Sequence, residues 1–243
     1  MAVTKPLIDP KLKFYDKSHT YKVGRKKLRG VTTWVKSFFP KFDEKKMAKF
    51  VVLARRKKGI KTTVREVLKE WKAIAELGTE THKQIEQYIN GELDTMAIID
   101  MNSKASFGAE YVDKLRQQYR GAQLLPELRI FSEELELAGT IDLVVLTKEN
   151  EAVIVDWKTN RLLRGKIPGG DDKFSDFVEG NLAQYTMQLS TYALILEDYY
   201  GIKVTGLKLV HLQDNGAVPM DIPFMREVVE GMLEESAMKD DVQ

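Results

Sequence analysis

Two short stretches hold residue types that could do chemistry together. They are Gly139-Thr140-Ile141-Asp142-Leu143-Val144-Val145 and, after a brief turn, Val153-Ile154-Val155-Asp156-Trp157-Lys158-Thr159. Each sets one carboxylate inside an otherwise apolar run, where an unpaired charge is costly. Side chains alternate along a strand, so Asp156 and Lys158 share one face while Trp157 points the other way. Carboxylate oxygens suit a hard divalent cation such as Mg²⁺. A nearby lysine can orient or deprotonate a water, or stabilise charge on a phosphate.

A geometric condition governs this reading. Directly opposed residues of an antiparallel pair lie on one face, so Asp142 opposes Asp156 only if the connecting loop has an odd residue count. A five-residue loop, Thr147–Glu151, satisfies the condition, and a bulge could restore the phase otherwise. A regular hairpin closed by a four-residue turn would place the two aspartates on opposite faces. Taken alone, Asp-x-Lys equally describes two strand-end aspartates facing solvent beside a surface lysine. Elsewhere, His82 and Glu86 share a helix face, with Gly78 one turn earlier permitting close approach. Gln188 and Tyr192 are four apart on another helix, and Tyr185 joins their stripe, which simple helix packing would also produce. Glu133 and Glu134 lie on the strand before Asp142, and one could reach a cation. His19 and His211 lack the partner spacing of a zinc site and read as structural.

The elements that must position these groups follow from periodicity and punctuation. Phe14–Val23 reads as a hairpin or short strands, with a basic turn from Gly24 to Gly30. A helix starts near Thr33 and is interrupted by Pro40. Residues 43–58 form a basic amphipathic helix, and a further helix runs from Thr63 to Tyr88, bent or interrupted near Gly78 and ended by Asn90-Gly91. Another covers Ser106–Tyr119. After Pro126 come strands at Leu128–Leu137, Gly139–Leu146 and Ala152–Trp157, then a long loop over 160–180. Leu182–Tyr200 is a helix stopped by Gly201, Val204–Leu212 a final strand and Met225–Met238 a closing helix. The order predicts one α/β domain over residues 1–243: a mainly helical, basic part at 1–125, a core at 126–215 and a C-terminal helix within 216–243.

Composition narrows the function classes. The 243 residues are 43% hydrophobic and 30% charged, in the range of a folded globular chain. With no cysteine, disulfides, cysteine-ligated zinc and cysteine-held iron–sulfur clusters are excluded. No apolar run approaches the roughly 18 to 20 residues that span a bilayer, and the N-terminus lacks the apolar stretch of a secretory signal. The expected setting is therefore intracellular, cytoplasmic or nucleoid-associated. The formal charge of +2 hides a segregation: residues 1–72 carry 22 Lys/Arg against 6 Asp/Glu, and residues 73–243 carry 16 against 30. Such a split fits a basic surface for a polyanion beside an acidic part with its own use for carboxylates, or two oppositely charged solvated surfaces packed together.

In order, Gly78-Thr79-Glu80-Thr81-His82, Gly139-Thr140-Ile141-Asp142, Ile154-Val155-Asp156-Trp157-Lys158-Thr159 and Gln188-Leu189-Ser190-Thr191-Tyr192-Ala193 resemble the motifs of the RecB-type branch of the PD-(D/E)XK nuclease superfamily. The resemblance implies a restriction-endonuclease-like core, a mixed central β-sheet flanked by helices, with the basic helical N-terminal part as an elaboration. It implies that His82, Asp142, Asp156 and the backbone carbonyl of Trp157 hold Mg²⁺ or Mn²⁺, that Lys158 is the catalytic lysine, and that Gln188 and Tyr192 arrange the site and its DNA. Many members bind an iron–sulfur cluster through cysteines, which are absent here, so none is expected. Asp156 stands where the family uses glutamate or aspartate.

The chemistry that follows is phosphodiester hydrolysis. The basic residues Lys26, Lys27, Arg29, Arg55, Arg56, Lys57 and Lys58 would track the phosphate backbone in a salt-sensitive way. Trp34, Phe38 and Phe39 could stack on unpaired bases, although core packing describes them better. A helical region over the site would admit a strand end and favour an exonuclease acting on DNA ends or single strands. The alternatives are a flap or single-strand endonuclease and a non-catalytic scaffold that binds DNA ends. Replication, recombination or repair proteins are the partners such an activity would meet.

Overall fold

A computed structural model describes residues 7–148, 150–167 and 180–240. Strands β1 (Leu12–Tyr15), β2 (Thr20–Val23) and β3 (Lys26–Gly30) open the chain as antiparallel neighbours. The segment read as a basic turn is thus itself a strand, reversed at Gly24, whose φ of 58° suits a residue without Cβ. Helices α1 (Val31–Lys36), α2 (Glu44–Lys57), α3 (Val64–Asn90) and the short α4 (Thr95–Ile99) follow. Helix α5 (Ser103–Gln118) leads into β4 (Gln123–Ser132), β5 (Leu137–Lys148) and β6 (Glu151–Lys158). Helix α6 (Asn181–Tyr200), β7 (Lys203–Gln213), β8 (Gly216–Ile222) and α7 (Arg226–Asp240) complete the described chain.

Several local signals act as their chemistry dictates. The Thr63 hydroxyl accepts from the Glu66 N–H while the Glu66 carboxylate accepts from the Thr63 N–H, a reciprocal cap that starts α3. Gly91 and Gly201, both left-handed, end α3 and α6. Helix α3 runs through Gly78 without the interruption the sequence allowed for: that glycine serves packing, since a Cβ there would lie 2.7 Å from Thr159 Oγ1. Strand β8 was not expected. Pro219 hides it in the sequence, yet β8 is an edge strand, where a missing donor is tolerated. Pro126 is accommodated likewise within β4, which pairs only with β5.

All eight strands join one mixed sheet, in the order β1-β2-β3-β5-β6-β7-β8 with β4 on the other edge of β5. The β3–β5 and β6–β7 pairs are parallel and the rest antiparallel. Side chains alternate between two cores. Val144, Ile154 and Leu209 pack beneath α1, α6 and α7, while Leu143, Val145, Val155, Trp157 and Val210 pack beneath α5 and the Ile85 turn of α3. Strand β6 is buried on both faces, which explains its continuous apolar run. Trp34 and Phe39 are buried and Phe38 packs against the same core, as their alternative reading held.

The feature that makes a site possible lies along β5. Leu137 pairs with Ser132 of β4 and Arg29 of β3, and Leu143 pairs with Pro126 of β4 and Val155 of β6. Because a strand has only two edges, β3 and β6 must share the edge that β4 leaves free. Between them, residues 139–142 have no strand partner on that edge. A cavity opens there.

Candidate active site

The hairpin between β5 and β6 meets the phase condition. Its register, Leu143↔Val155 through Leu146↔Ala152, extrapolates to Asp142 facing Asp156. The tip closes more tightly, at Lys148↔Glu151, and the extra residue, Thr147, is a bulge that restores the phase. At the other end the strands part, and the Trp157 N–H turns to donate to Asp142 Oδ2 at 2.8 Å.

A cavity of about 460 Å³ gathers the groups that the four motifs contribute. His82 of α3 places Nδ1 3.5 Å from Asp142 Oδ2. Lys158 Nζ lies 2.5 Å from Asp156 Oδ2 and 4.4 Å from the centroid of the Tyr185 ring. Gln188 Nε2 donates to Asp156 Oδ1 and to the Tyr192 hydroxyl, both at 3.4 Å. Tyr192 in turn lies over Gly139, where an added Cβ would come within 2.5 Å of its ring. Glycine at 139 is therefore what lets α6 seat this ring against β5.

Burial and charge set the protonation states. Burial pushes the Asp156 carboxyl up, to about 6, with Asp142 adding to the rise and Lys158 opposing it. Burial acts on Asp142 in the same direction, but His82, Lys158 and the Trp157 N–H outweigh it and hold that carboxyl below its usual range. Burial alone would discharge His82 and Lys158; the carboxylates outweigh it and raise both, keeping Lys158 an ammonium. Tyr192 is pushed up, first by burial, and stays a neutral phenol.

One site residue escaped the sequence reading. Glu127 of β4 falls between the Pro126↔Leu143 and Leu128↔Ile141 pairs, directly across from Asp142, with a left-handed φ of 49°. It lines the cavity, and ligand atoms of His82, Glu127 and Asp142 all lie within 4.8 Å of one another. Burial, then the charge of Asp142, pushes its carboxyl up to about 7. A lone acid amid Leu124-Leu125-Pro126-Glu127-Leu128 was the available signal. Glu133 and Glu134, considered instead, sit in the turn between β4 and β5. Glu86 lines the cavity beside His82, and so does His19, which was assigned a purely structural place. His211, by contrast, locks the chain beyond Lys158 through an Nε2–Asn160 carbonyl contact of 2.6 Å.

The donor set suits a hard divalent cation: one imidazole, carboxylates, and a buried Asp156 Oδ2 whose partner is the Lys158 ammonium. The seven basic residues form two groups outside this cavity among the described residues. Lys26 is tied to Glu136 at 2.6 Å, and Arg55 makes a two-pronged pair with Glu70. Lys27 and Arg29 are exposed on β3, and Arg56, Lys57 and Lys58 are exposed at the end of α2.

A sequence model of the PD-(D/E)XK nuclease superfamily matches residues 48–242. One chain of an ATP-dependent helicase/nuclease from Carboxydothermus hydrogenoformans is 34% identical over 85 residues, which cover 35% of this chain and 6% of that protein. The chain thus spans a small fraction of that relative's length. A solved structure from Eubacterium rectale, provisionally named an exonuclease, aligns over 67% of this chain and 65% of its own at 12% identity, with a TM-score of 0.42.

Proposed function

The chain belongs to the PD-(D/E)XK nuclease superfamily, and from that membership we propose that it is a divalent-metal-dependent deoxyribonuclease, an exonuclease working on DNA ends or single strands. The observation that carries the reading is the convergence of Asp142 and Asp156 on one cavity, with Lys158 paired to the second. A non-catalytic end-binding scaffold has no use for that set.

In this reading His82, Asp142 and Asp156, with Glu127 and the Trp157 carbonyl, hold Mg²⁺ or Mn²⁺. Such an ion supplies Lewis-acid polarisation of the phosphate and makes water more acidic. The protein's own residues do the rest. Asp156 holds the Lys158 ammonium in place, and the Tyr185 ring backs it, so its charge is already set where negative charge grows on the phosphate. Gln188 ties the Asp156 carboxylate and the Tyr192 hydroxyl together, which fixes the orientation of that carboxylate. Lys27, Arg29, Arg56, Lys57 and Lys58 contact the backbone away from the reacting phosphate, while Lys26 and Arg55 are committed to internal ion pairs.

Cavity size supports a strand rather than a duplex as the substrate at the carboxylates: about 460 Å³ encloses one small ligand's worth of chain. Among the described residues no helix is long and apolar enough to cross a membrane, and a DNA substrate fits work in the cytoplasm or nucleoid beside replication, recombination or repair proteins. The test uses end-labelled linear DNA, single- and double-stranded, with a circular single strand alongside, in Mg²⁺, Mn²⁺ or EDTA. Metal-dependent loss of the linear strands with the circle spared is the expected result. Cutting of the circle makes it an endonuclease, and salt-sensitive binding without cleavage in either metal returns the scaffold.

A further inference from the structure

Beyond the reacting groups lies a second groove of about 870 Å³ that reaches Gly78 from the other side. The two cavities flank the close contact between the α3 backbone at Gly78 and Thr159, the residue after Lys158. Sheet register gives the groove its direction. Lys158 pairs with His211 and His211 with Val218, so the three form one cross-strand row on the face that carries Asp156. Two strand spacings, about 10 Å, separate Lys158 from Val218 along that row.

The lining is amphipathic. Ile74 and Leu77 of α3 are each 45% exposed, Leu162 is 58% exposed and Val218 44%, although all four are large aliphatic residues around one concavity. Arg161 is exposed at the same groove, and Lys104, whose ammonium donates to the Thr159 carbonyl at 3.0 Å, stands 3.6 Å from Asp214. The floor is held by His211, pinned between Asn160 and Gln213. An occupant that matches this lining offers an apolar body and an anionic edge toward Arg161.

We propose that this groove is a strand-binding subsite that takes the nucleotides next to the scissile phosphate of a single-stranded substrate, bases against Ile74, Leu77, Leu162 and Val218 and phosphates toward Arg161. The assignment rests on the nuclease reading and deepens it. Aliphatic walls grip any base by its face and read none by its edge, so the subsite adds affinity without sequence preference.

Two measurements test it. With Leu162→Glu and Val218→Glu, kcat/KM for a single-stranded hexanucleotide falls tenfold or more, chiefly through KM. For a thymidine 5′-(p-nitrophenyl phosphate), which reaches only the catalytic cavity, the loss is threefold or less. Equal losses on both substrates, or none on the hexanucleotide, overturn the subsite while leaving the nuclease intact. In the second measurement, a hexanucleotide carrying 5-iododeoxyuridine is irradiated on the wild-type protein in EDTA and the adducts are mapped. Crosslinks within 159–163 or 218–220 are expected. If the wild type cleaves neither substrate, the nuclease reading fails by itself, and absence of these crosslinks, or their placement on a different surface, overturns the subsite independently.

Discussion

Raising the pH from 5 to 8 should destabilise the metal-free protein, and a divalent cation should reverse the loss. Asp156 rises from 3.8 to about 6 and Glu127 from 4.5 to about 7 on folding, so both hold protons in the native state that the unfolded chain has released. A native state that binds more protons loses stability as pH rises. Stability from each carboxyl is present below its unfolded pKa and gone above its folded one. His82, raised on folding, acts in the same direction: its contribution is full below its unfolded value and lost as pH climbs through the folded one. Asp142, lowered, works oppositely, but only on the acid side of this window. Near pH 5.5 the two raised carboxyls hold together roughly 1.5 extra protons, a slope of about 2 kcal/mol per pH unit. At about 2–4 °C per kcal/mol for a chain of this size, Tm falls by about 4–8 °C per pH unit between 5 and 6. Differential scanning calorimetry in EDTA reads it, and Glu127→Gln or Asp156→Asn should each flatten the slope by about half. With Mn²⁺ present the stabilisation must grow with pH, because the ion displaces those protons. A metal-free Tm that stays level or rises from pH 5 to 7, unaltered by either substitution, refutes the burial of protonated carboxyls.

Other predictions follow from single contacts. Asp156→Ala should abolish cleavage yet keep DNA binding within about threefold, since backbone contacts dominate affinity; gel shifts and cleavage assays on one preparation separate the two. Gly139→Ala puts a Cβ 2.5 Å from the Tyr192 ring, so kcat should fall tenfold or more and stability by about 1–3 kcal/mol, and an unchanged kcat would remove Tyr192 from the site. Tyr185→Leu deletes the ring that lies 4.4 Å from Lys158 Nζ and should lower kcat with KM unmoved. Tyr185→Phe keeps the ring while losing the hydroxyl's bond to Asn160, and should restore most of it.

How much of this was legible beforehand depended on range. Capping at Thr63, the glycine stops at 91 and 201 and the buried helix at 181–200 rest on neighbours a few residues apart, and each is written locally. Asp142, Asp156, Lys158, Gln188 and Tyr192 could be gathered by motif order. Glu127 could not, because its place depends on which strand lies across from Asp142 and on the left-handed turn after Pro126. Strand β3 was hidden by its own charge: it lies between β2 and β5, yet Lys26, Lys27 and Arg29 stay exposed and its one buried member is Leu28. Arg55 looked like a phosphate ligand because nothing nearby in sequence claims it; its partner, Glu70, lies on the next helix.

The bulge at Thr147 poses the question of what holds the two aspartates in phase, the hairpin tip or the core. With Thr147 in the ladder instead of bulged, the Lys148↔Glu151 closure would extend to a register opposing Asp142 to Trp157 and sending Asp156 away from it. Yet such a slip turns every β6 side chain over. Asp156 and Lys158, which share a face, would both enter the cluster of Tyr111, Val112 and Val210, away from Gln188, and Trp157 would leave its edge-on contact with Tyr111. Burying both charges in that apolar cluster costs several kcal/mol, whereas reshaping a surface turn costs about 1–2 kcal/mol. The core must therefore win. Deletion of Thr147 removes the bulge while keeping Leu146 opposite Ala152, and with it Asp142 opposite Asp156, so it should cost no more than that smaller amount of stability and leave metal-dependent cleavage within about tenfold of wild type. Full thermal stability combined with complete loss of cleavage would show instead that cleavage does not rest on Asp142 facing Asp156 across the hairpin.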